Sequence, residues 1–293
     1  MSQITTTTLY RKYRPESFEE VVGQDEVVTT LQKQIQNESI AHAYLFSGGR
    51  GTGKTSIARI FAHQLGTHDQ DIYEIDAASN RGINEIRALR DGVVNRPFYS
   101  TYKVYIIDEV HMLTKEAFNA LLKTLEEPPS HAIFILATTE KHKVLDTILS
   151  RCQVYDFRLG DQPALATLVQ NVAKQEGVTI DEEAARYIAT MGNGSFRDTL
   201  SHLQKVLTLG DTTITLEELH TVYGNTSEAT PFALLEAINS QDASALLESY
   251  ASYTENHAQR DYRGLLESLV QYVRVVLMLR YSKQYQDRAA EEY

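Results

Sequence analysis

Ala43-Tyr44-Leu45-Phe46-Ser47-Gly48-Gly49-Arg50-Gly51-Thr52-Gly53-Lys54-Thr55-Ser56-Ile57 is the stretch from which the rest of the chain can be read. A short apolar run ends at Ser47, a glycine-rich loop follows, and beyond Lys54 the apolar residues Ile57, Ala58, Phe61, Ala62 and Leu65 recur at helical spacing. That is strand, loop, helix. The loop fits G-x-x-x-x-G-K-[ST], with Gly48 and Gly53 in the glycine positions and Lys54-Thr55 completing it. Phosphate chemistry needs these residue types, because glycine lets successive backbone N–H groups turn inward around an oxyanion where a side chain would block the approach. The helix N-terminus adds positive potential at the same point. Lys54 can then reach the β- and γ-phosphates of a nucleoside triphosphate, and the Thr55 hydroxyl can take a place on Mg²⁺. A glycine turn before an ordinary helix is the bland alternative. It is weaker because the pattern falls between a strand and a helix.

Four further strand candidates follow: Ile72 to Ile75, Val104 to Ile107, Ile133 to Ala137 and Gln153 to Phe157. Helical patterns separate most of them, which predicts an α/β core with a parallel sheet covered on both faces. Val104-Tyr105-Ile106-Ile107-Asp108-Glu109 reads as a buried strand ending in two carboxylates. Asp108 at a strand end can hold Mg²⁺ through its water shell, the Walker B role, and Glu109 can orient and deprotonate an attacking water. Adjacent acids after a strand are more often a solvated loop; after a phosphate loop, the catalytic reading is the stronger one. His111 is assigned no chemistry. Thr139, just beyond the 133–137 run, is by default a turn-capping hydroxyl. If that strand lies between the two phosphate-binding strands, Thr139 comes beside the γ-phosphate instead. Arg151 and Arg197 are loop and helix-start arginines that can each meet transition-state charge, and spacing alone does not decide between them.

The 293 residues, 42% hydrophobic and 23% charged, suit an ordinary globular protein of one to three domains. A net charge of −11 argues against a protein that coats nucleic acid with its whole surface, though not against a local basic path. The single cysteine, Cys152, rules out an internal disulfide and a cysteine-built zinc site and suits a reducing cytosol. Neither a signal peptide at the N-terminus nor a membrane-spanning run is expected. Leu9 to Pro15 is basic and aromatic, and reads equally as a solvated, irregular arm or as a segment beside the nucleotide. Asp25 to Ile35 has Val27, Val28, Leu31 and Ile35 on one helical face. Leu159 to Pro163 reads as a hinge, after which everything to Val222 reads helical. A third helical region follows Gly224-Asn225-Thr226-Ser227, and its segment Tyr262 to Tyr281 has an apolar face wide enough to need a partner. The expected domains are a nucleotide-binding core at 1–159, a helical lid at 160–223 and a helical oligomerisation domain at 224–293.

Together these motifs resemble the AAA+ clamp-loader ATPases, specifically the gamma/tau family of bacterial DNA polymerase III. The resemblance rests on Leu9 to Pro15, Val22-Gly23-Gln24, His42 to Gly48, Glu74 to Ser79, Lys103 to Leu113, Phe118 to Pro129, Ala137-Thr138-Thr139, Ile148 to Cys152 and Gly194 to Asp198. It is dense from Leu9 to about Leu207 and weak beyond. It implies an ATPase within a DNA-directed DNA polymerase holoenzyme, using ATP and Mg²⁺, with other loader subunits, a sliding clamp and primer-template DNA as partners in the cytoplasm. Carried over residue by residue, it makes Thr139 the sensor 1 residue, Arg197 the sensor 2 arginine of the lid, and Arg151 a trans arginine finger entering a neighbour's ATP site. The usual four-cysteine zinc module is replaced here by His63 to Asp71, so zinc is not expected. The chain also closes at Tyr293 without the longer tau tail, so the collar-type domain is expected to be a shortened one. The rivals are another AAA+ machine remodelling DNA or protein, which an aromatic pore loop would favour, and a non-hydrolysing ring subunit. Intact Lys54, Thr55, Asp108 and Glu109 argue against the second.

Overall fold

Apolar runs with both faces to bury become the strands of one sheet, and the amphipathic segments between them become its covering helices. The computed structural model describes residues 7–209, 212–223, 229–256 and 262–283. The first part runs α1 (Leu9–Lys12), α2 (Asp25–Gln36), β1 (Ala43–Gly48), α3 (Lys54–Gln64), β2 (Ile72–Asp76), α4 (Ile83–Val93), β3 (Lys103–Asp108), α5 (Lys115–Glu126), β4 (Ala132–Thr138), α6 (Asp146–Leu149) and β5 (Gln153–Phe157). It continues with α7 (Gln162–Gln175), β6 (Thr179–Ile180), α8 (Glu182–Met191), α9 (Phe196–Leu207) and β7 (Thr213–Ile214). After these come α10 (Leu216–Tyr223), α11 (Ala229–Asn239), α12 (Ala243–Asn256) and α13 (Tyr262–Tyr281). The chain divides into two compact units, one up to Thr215 and one from Leu216.

The main sheet has the order β2-β3-β4-β1-β5 with every neighbouring pair parallel. Alternate strand residues point to opposite faces, and both faces are covered. Leu45, Ile107, Phe134 and Leu136 pack with Leu89 of α4, Leu121 of α5 and Ile148 of α6. On the other face Phe46, Ile106 and Ile135 pack with Leu31 of α2 and Ile57 and Phe61 of α3. Burial on both sides is why the central strands β1, β3 and β4 are nearly continuous apolar runs, while the edge strands β2 and β5 are more exposed and polar. The position of the 133–137 run, open in the sequence, is settled by the order: β4 lies between β1 and β3. Ser47 pairs with Thr138, and Ile107 with Leu136. Three carboxyl ends therefore meet at one edge of the sheet, where open α/β sheets bind ligands.

Helices α7, α8 and α9 form a small bundle around Leu165, Val169, Ile188, Leu200 and Leu203. Asp161 and Ser195 cap α7 and α9 by accepting the Ala164 and Asp198 N–H groups. The all-helical expectation for this stretch needs one correction. Thr179-Ile180 and Thr213-Ile214 pair as a two-residue parallel ladder, made from β-branched residues just after the left-handed turn at Gly177.

In the second unit, α11, α12 and α13 share a core of Leu234, Tyr253 and Leu265. Of the wide apolar face on α13, Leu265 is buried and Leu269 half-buried, while Leu266, Val270, Val273, Val276 and Leu277 are exposed. Among the described residues no helix is long and apolar enough to cross a membrane.

Candidate functional site

Between β1 and α3 the chain must reverse within five residues. Gly51 and Gly53 do so at φ values of +71° and +94°, conformations that L side chains rarely adopt. Gly53 is the residue immediately before α3, so the loop delivers its backbone N–H groups straight into a helix N-terminus. Lys54 opens that helix, and its ammonium donates to the carbonyls of Gly48 at 2.8 Å and Gly49 at 2.7 Å. Burial lowers the Lys54 pKa, and the charges of Glu109 and Asp108 offset only part of that. The ammonium lies near two carboxylates. It needs only to turn from two carbonyls to meet a phosphate.

The neighbouring strand supplies the acids. The Thr55 hydroxyl donates to Asp108 Oδ2 at 2.7 Å, which joins the phosphate loop to the end of β3. Asp108 Oδ1 accepts the N–H of Glu109 at 2.9 Å. Glu109 has φ +49°, a left-handed conformation that is uncommon for a residue with a side chain and gathers at functional sites. Its Oε2 accepts from the Thr139 hydroxyl at 2.9 Å and the Thr139 N–H at 3.2 Å. Thr139, just beyond the end of β4, therefore grips Glu109. A hydroxyl and a carboxylate in contact are hard oxygen donors of the kind Mg²⁺ prefers, and the open, side-chain-free face of Gly53 suits a phosphate chain. The residues present fit Mg²⁺ and a nucleoside triphosphate.

The same cleft, of about 570 Å³, is lined by Arg50, Gly51, Thr52, Gly53, Lys54, Thr55 and Ser56 with Asp108, Glu109 and the lid residues Phe196 and Arg197. The lid touches the loop directly, because the Phe196 N–H donates to the Gly51 carbonyl at 3.0 Å. Arg197 places its guanidinium over the Tyr10 ring, 4.6 Å from the centroid. Arg151 is elsewhere. Its guanidinium bonds Glu126 Oε1 at 2.7 Å and the Thr147 carbonyl at 2.6 Å on an exposed surface. Of the anticipated site residues, all but Arg151 lie in the cleft or bond directly to a group that does.

Of the two readings of the Leu9–Pro15 arm, the structure has the segment that lines the cleft, through Tyr10, Arg11, Tyr13 and Arg14, with Leu9–Lys12 forming α1. Its anchors are distant in sequence. Tyr13 donates to Glu176 at 2.6 Å, the Leu9 N–H to Gln204 at 3.0 Å, and Arg14 Nε to Ser56 at 2.9 Å. Gln24, buried and given no role by the sequence reading, donates to the carbonyls of Arg158 at 2.7 Å and Thr52 at 3.3 Å, tying the loop to the segment before the hinge. His111 is buried against Glu109 and Glu140. In the 63–71 segment, His63 faces Asp69, His68 accepts the Gln70 N–H, and the fully buried Asp71 accepts the Phe98 and Tyr99 N–H groups. Among the described residues no group of three or more His, Cys, Asp and Glu side chains is placed to hold a metal ion.

Comparison with known proteins adds relatives to this geometry. A family profile described as DNA polymerase III, delta subunit, matches residues 23–81 and 66–160. A second, described as DNA polymerase III clamp loader subunit, ATPase lid domain, matches residues 164–212. DNA polymerase III subunit tau of Bacillus subtilis is 40% identical over 291 residues, covering 92% of this chain and 51% of that protein. DNA polymerase III subunit gamma of Buchnera aphidicola is 37% identical over 260 residues, covering 82% of this chain and 72% of that protein. The chain thus spans about half the length of the Bacillus relative. The solved structure of the Thermotoga maritima RuvB Holliday junction branch migration motor superposes with a TM-score of 0.61 over 77% of this chain and 79% of that one. At 22% identity that likeness shows a shared fold alone.

Proposed function

Because the chain belongs to the DNA polymerase III gamma/tau family, we propose that it is the ATP-driven motor subunit of a clamp loader, hydrolysing ATP to place a sliding clamp on primed DNA. The observation that carries this reading is the 2.7 Å bond from Thr55 to Asp108 directly beside Lys54, since it joins the phosphate-binding and metal-binding halves of one site. Residues Gly48 to Ser56 wrap the triphosphate with backbone N–H groups. Lys54 leaves the Gly48 and Gly49 carbonyls for the β- and γ-phosphates. Thr55 and Asp108 hold Mg²⁺, which when bound neutralises phosphate charge.

Glu109 orients the attacking water and accepts its proton. Both Thr139 contacts fall on Oε2, so Oε1 is the oxygen offered to the water. Arg197 swings from Tyr10 to the γ-phosphate from the lid side, and Arg151 leaves Glu126 to serve the site of a neighbouring subunit. The exposed Glu126 contact is a weak one to give up, since surface ion pairs contribute about 0–1 kcal/mol. In this reading 1–159 is the nucleotide-binding core, 160–223 the lid and 224–293 the oligomerisation domain of a cytoplasmic hetero-oligomeric ring.

Reconstitution tests it. The chain is mixed with candidate loader subunits, clamp and primed DNA, and complex mass and clamp retained on circular DNA are measured. The reading predicts a mixed complex and ATP-dependent retention. Absence of both, with ATP bound, would contradict it.

A further inference from the structure

No motif assigns chemistry to His111, yet its ring, only 5% exposed, has a polar partner on each edge. Nδ1 lies 2.9 Å from Thr138 Oγ1 and 3.4 Å from Glu109 Oε2. Nε2 lies 3.4 Å from Glu140 Oε1. Thr138 Oγ1 also accepts the Glu140 N–H at 3.0 Å, so the ring, Thr138 and Glu140 form one closed set. Glu109 Oε2, hydrogen-bonded to Thr139, also has the imidazole edge 3.4 Å away. A buried imidazole needs partners for both nitrogens. Here the Thr138 hydroxyl is the partner of Nδ1, and two carboxylates flank the ring at 3.4 Å, one proposed to activate water and the other at the protein surface.

We propose that His111 is a positioning residue for ATP hydrolysis: its Nδ1 edge, braced by Thr138, fixes the Glu109 carboxylate, and its Nε2 edge anchors that arrangement to Glu140. The proposal rests on the reading of Glu109 as the group that activates water. The physical need is clear from the local backbone. Glu109 stands in a left-handed turn between β3 and a short 3-10 turn at Val110–Met112, so no regular helix or strand restrains its side chain. A general base misplaced by about 1 Å can lose on the order of 10² in rate. Glu140 is a suitable anchor. A hydrogen bond from Lys143 holds its carboxyl below the ordinary range, so it remains a carboxylate beside the ring.

Single-turnover hydrolysis of Mg·ATP, with the full chain in excess over nucleotide, reads even slow rates; equilibrium titration with a fluorescent ATP analogue runs beside it. His111→Leu, which keeps bulk and loses both polar edges, should slow hydrolysis about 10–100-fold while affinity stays within about twofold. Asn reaches the position of Nδ1 and Gln that of Nε2, so His111→Asn should retain more of the rate than His111→Gln. Glu140→Gln should fall less than His111→Leu, and the double variant should be no slower than His111→Leu, because Glu140 acts through the ring.

Wild-type hydrolysis by His111→Leu, a faster His111→Gln than His111→Asn, or affinity and rate falling together would each overturn the proposal. If His111→Leu does not fold, the order of the Asn and Gln variants decides. Glu109→Gln runs as the control. A wild-type rate there would remove the reading of Glu109 itself, and the role of His111 with it.

Discussion

Replacing Gly51 by alanine asks whether the lid rests on the phosphate loop. Gly51 has φ +71°, and a Cβ built there would overlap Ser195 Oγ outright and come within 3.1 Å of the Arg197 Cβ. A left-handed conformation costs an L residue about 1–2 kcal/mol, and overpacking typically adds about 1–3 kcal/mol. Gly53 is an internal control. Its φ is +94°, but a Cβ there meets nothing within 4 Å, so Gly53→Ala carries the backbone cost alone. The two variants should therefore differ by the packing contribution, about 1–3 kcal/mol, which for a unit of this size is about 2–12 °C in melting temperature. Thermal unfolding of both variants and the parent measures the difference. Were the lid to swing aside instead, the Phe196 amide, which donates to Gly51, would exchange its hydrogen faster in Gly51→Ala than in Gly53→Ala. Equal melting temperatures with equal Phe196 exchange would refute the lid contact.

Asp71→Asn should destabilise the chain by about 1.5–3 kcal/mol at pH 7, since the carboxylate accepts two backbone N–H groups at 2.8 Å each. Burial pushes the Asp71 carboxyl up, but the Phe98, Tyr99 and Ser100 hydrogen bonds together outweigh it, and the net direction is down. A depressed folded-state pKa stabilises above the unfolded value of about 3.9 and loses that contribution as pH falls through the folded one. The gap between parent and variant in denaturant midpoint should accordingly narrow below about pH 4; a constant gap would contradict the assignment. Burial also raises the Cys152 thiol to about 12, so a thiol reagent at pH 8 should label the folded chain far more slowly than the unfolded one. Arg151→Ala should leave folding and the chain's own ATP binding unchanged while cutting turnover in assembled rings by about 10³–10⁵. Wild-type turnover by rings of pure Arg151→Ala would refute the trans role.

Much of the site could be read from the chain because its parts are local. Gly48 to Thr55 is one contiguous stretch, Asp108-Glu109 ends one strand, and the three central strands announce themselves as apolar runs buried on both faces. The strand at 133–137 was visible too, but its place was not: only the sheet order, with β4 between β1 and β3, carries Thr139 to the acids. What escaped notice depends on residues far apart in sequence. The Leu9–Pro15 arm is ordered by Glu176 and Gln204, and nothing near residue 10 signals that Arg197 will lie over Tyr10. His111 looks like an ordinary core-edge residue until the end of β4 brings Thr138 and Glu140 to it. The Thr179–Thr213 ladder is too short to stand out from its helical surroundings. On α13 the width of the apolar face was visible, but which residues pack inside the unit was not: Leu265 turned inward and Val270 did not.

Binding isotherms for Mg·ATP, set beside single-turnover hydrolysis, separate the two roles assigned to the cleft. Lys54→Ala should abolish tight binding, because the loop loses its cation against the β- and γ-phosphates. Glu109→Gln should bind within about twofold of the parent yet hydrolyse about 10²–10⁴ more slowly, since the amide keeps the shape but cannot accept a proton from water. Unchanged affinity in Lys54→Ala, or parent-like turnover in Glu109→Gln, would contradict the assignment of this cleft as an ATP-hydrolysing site.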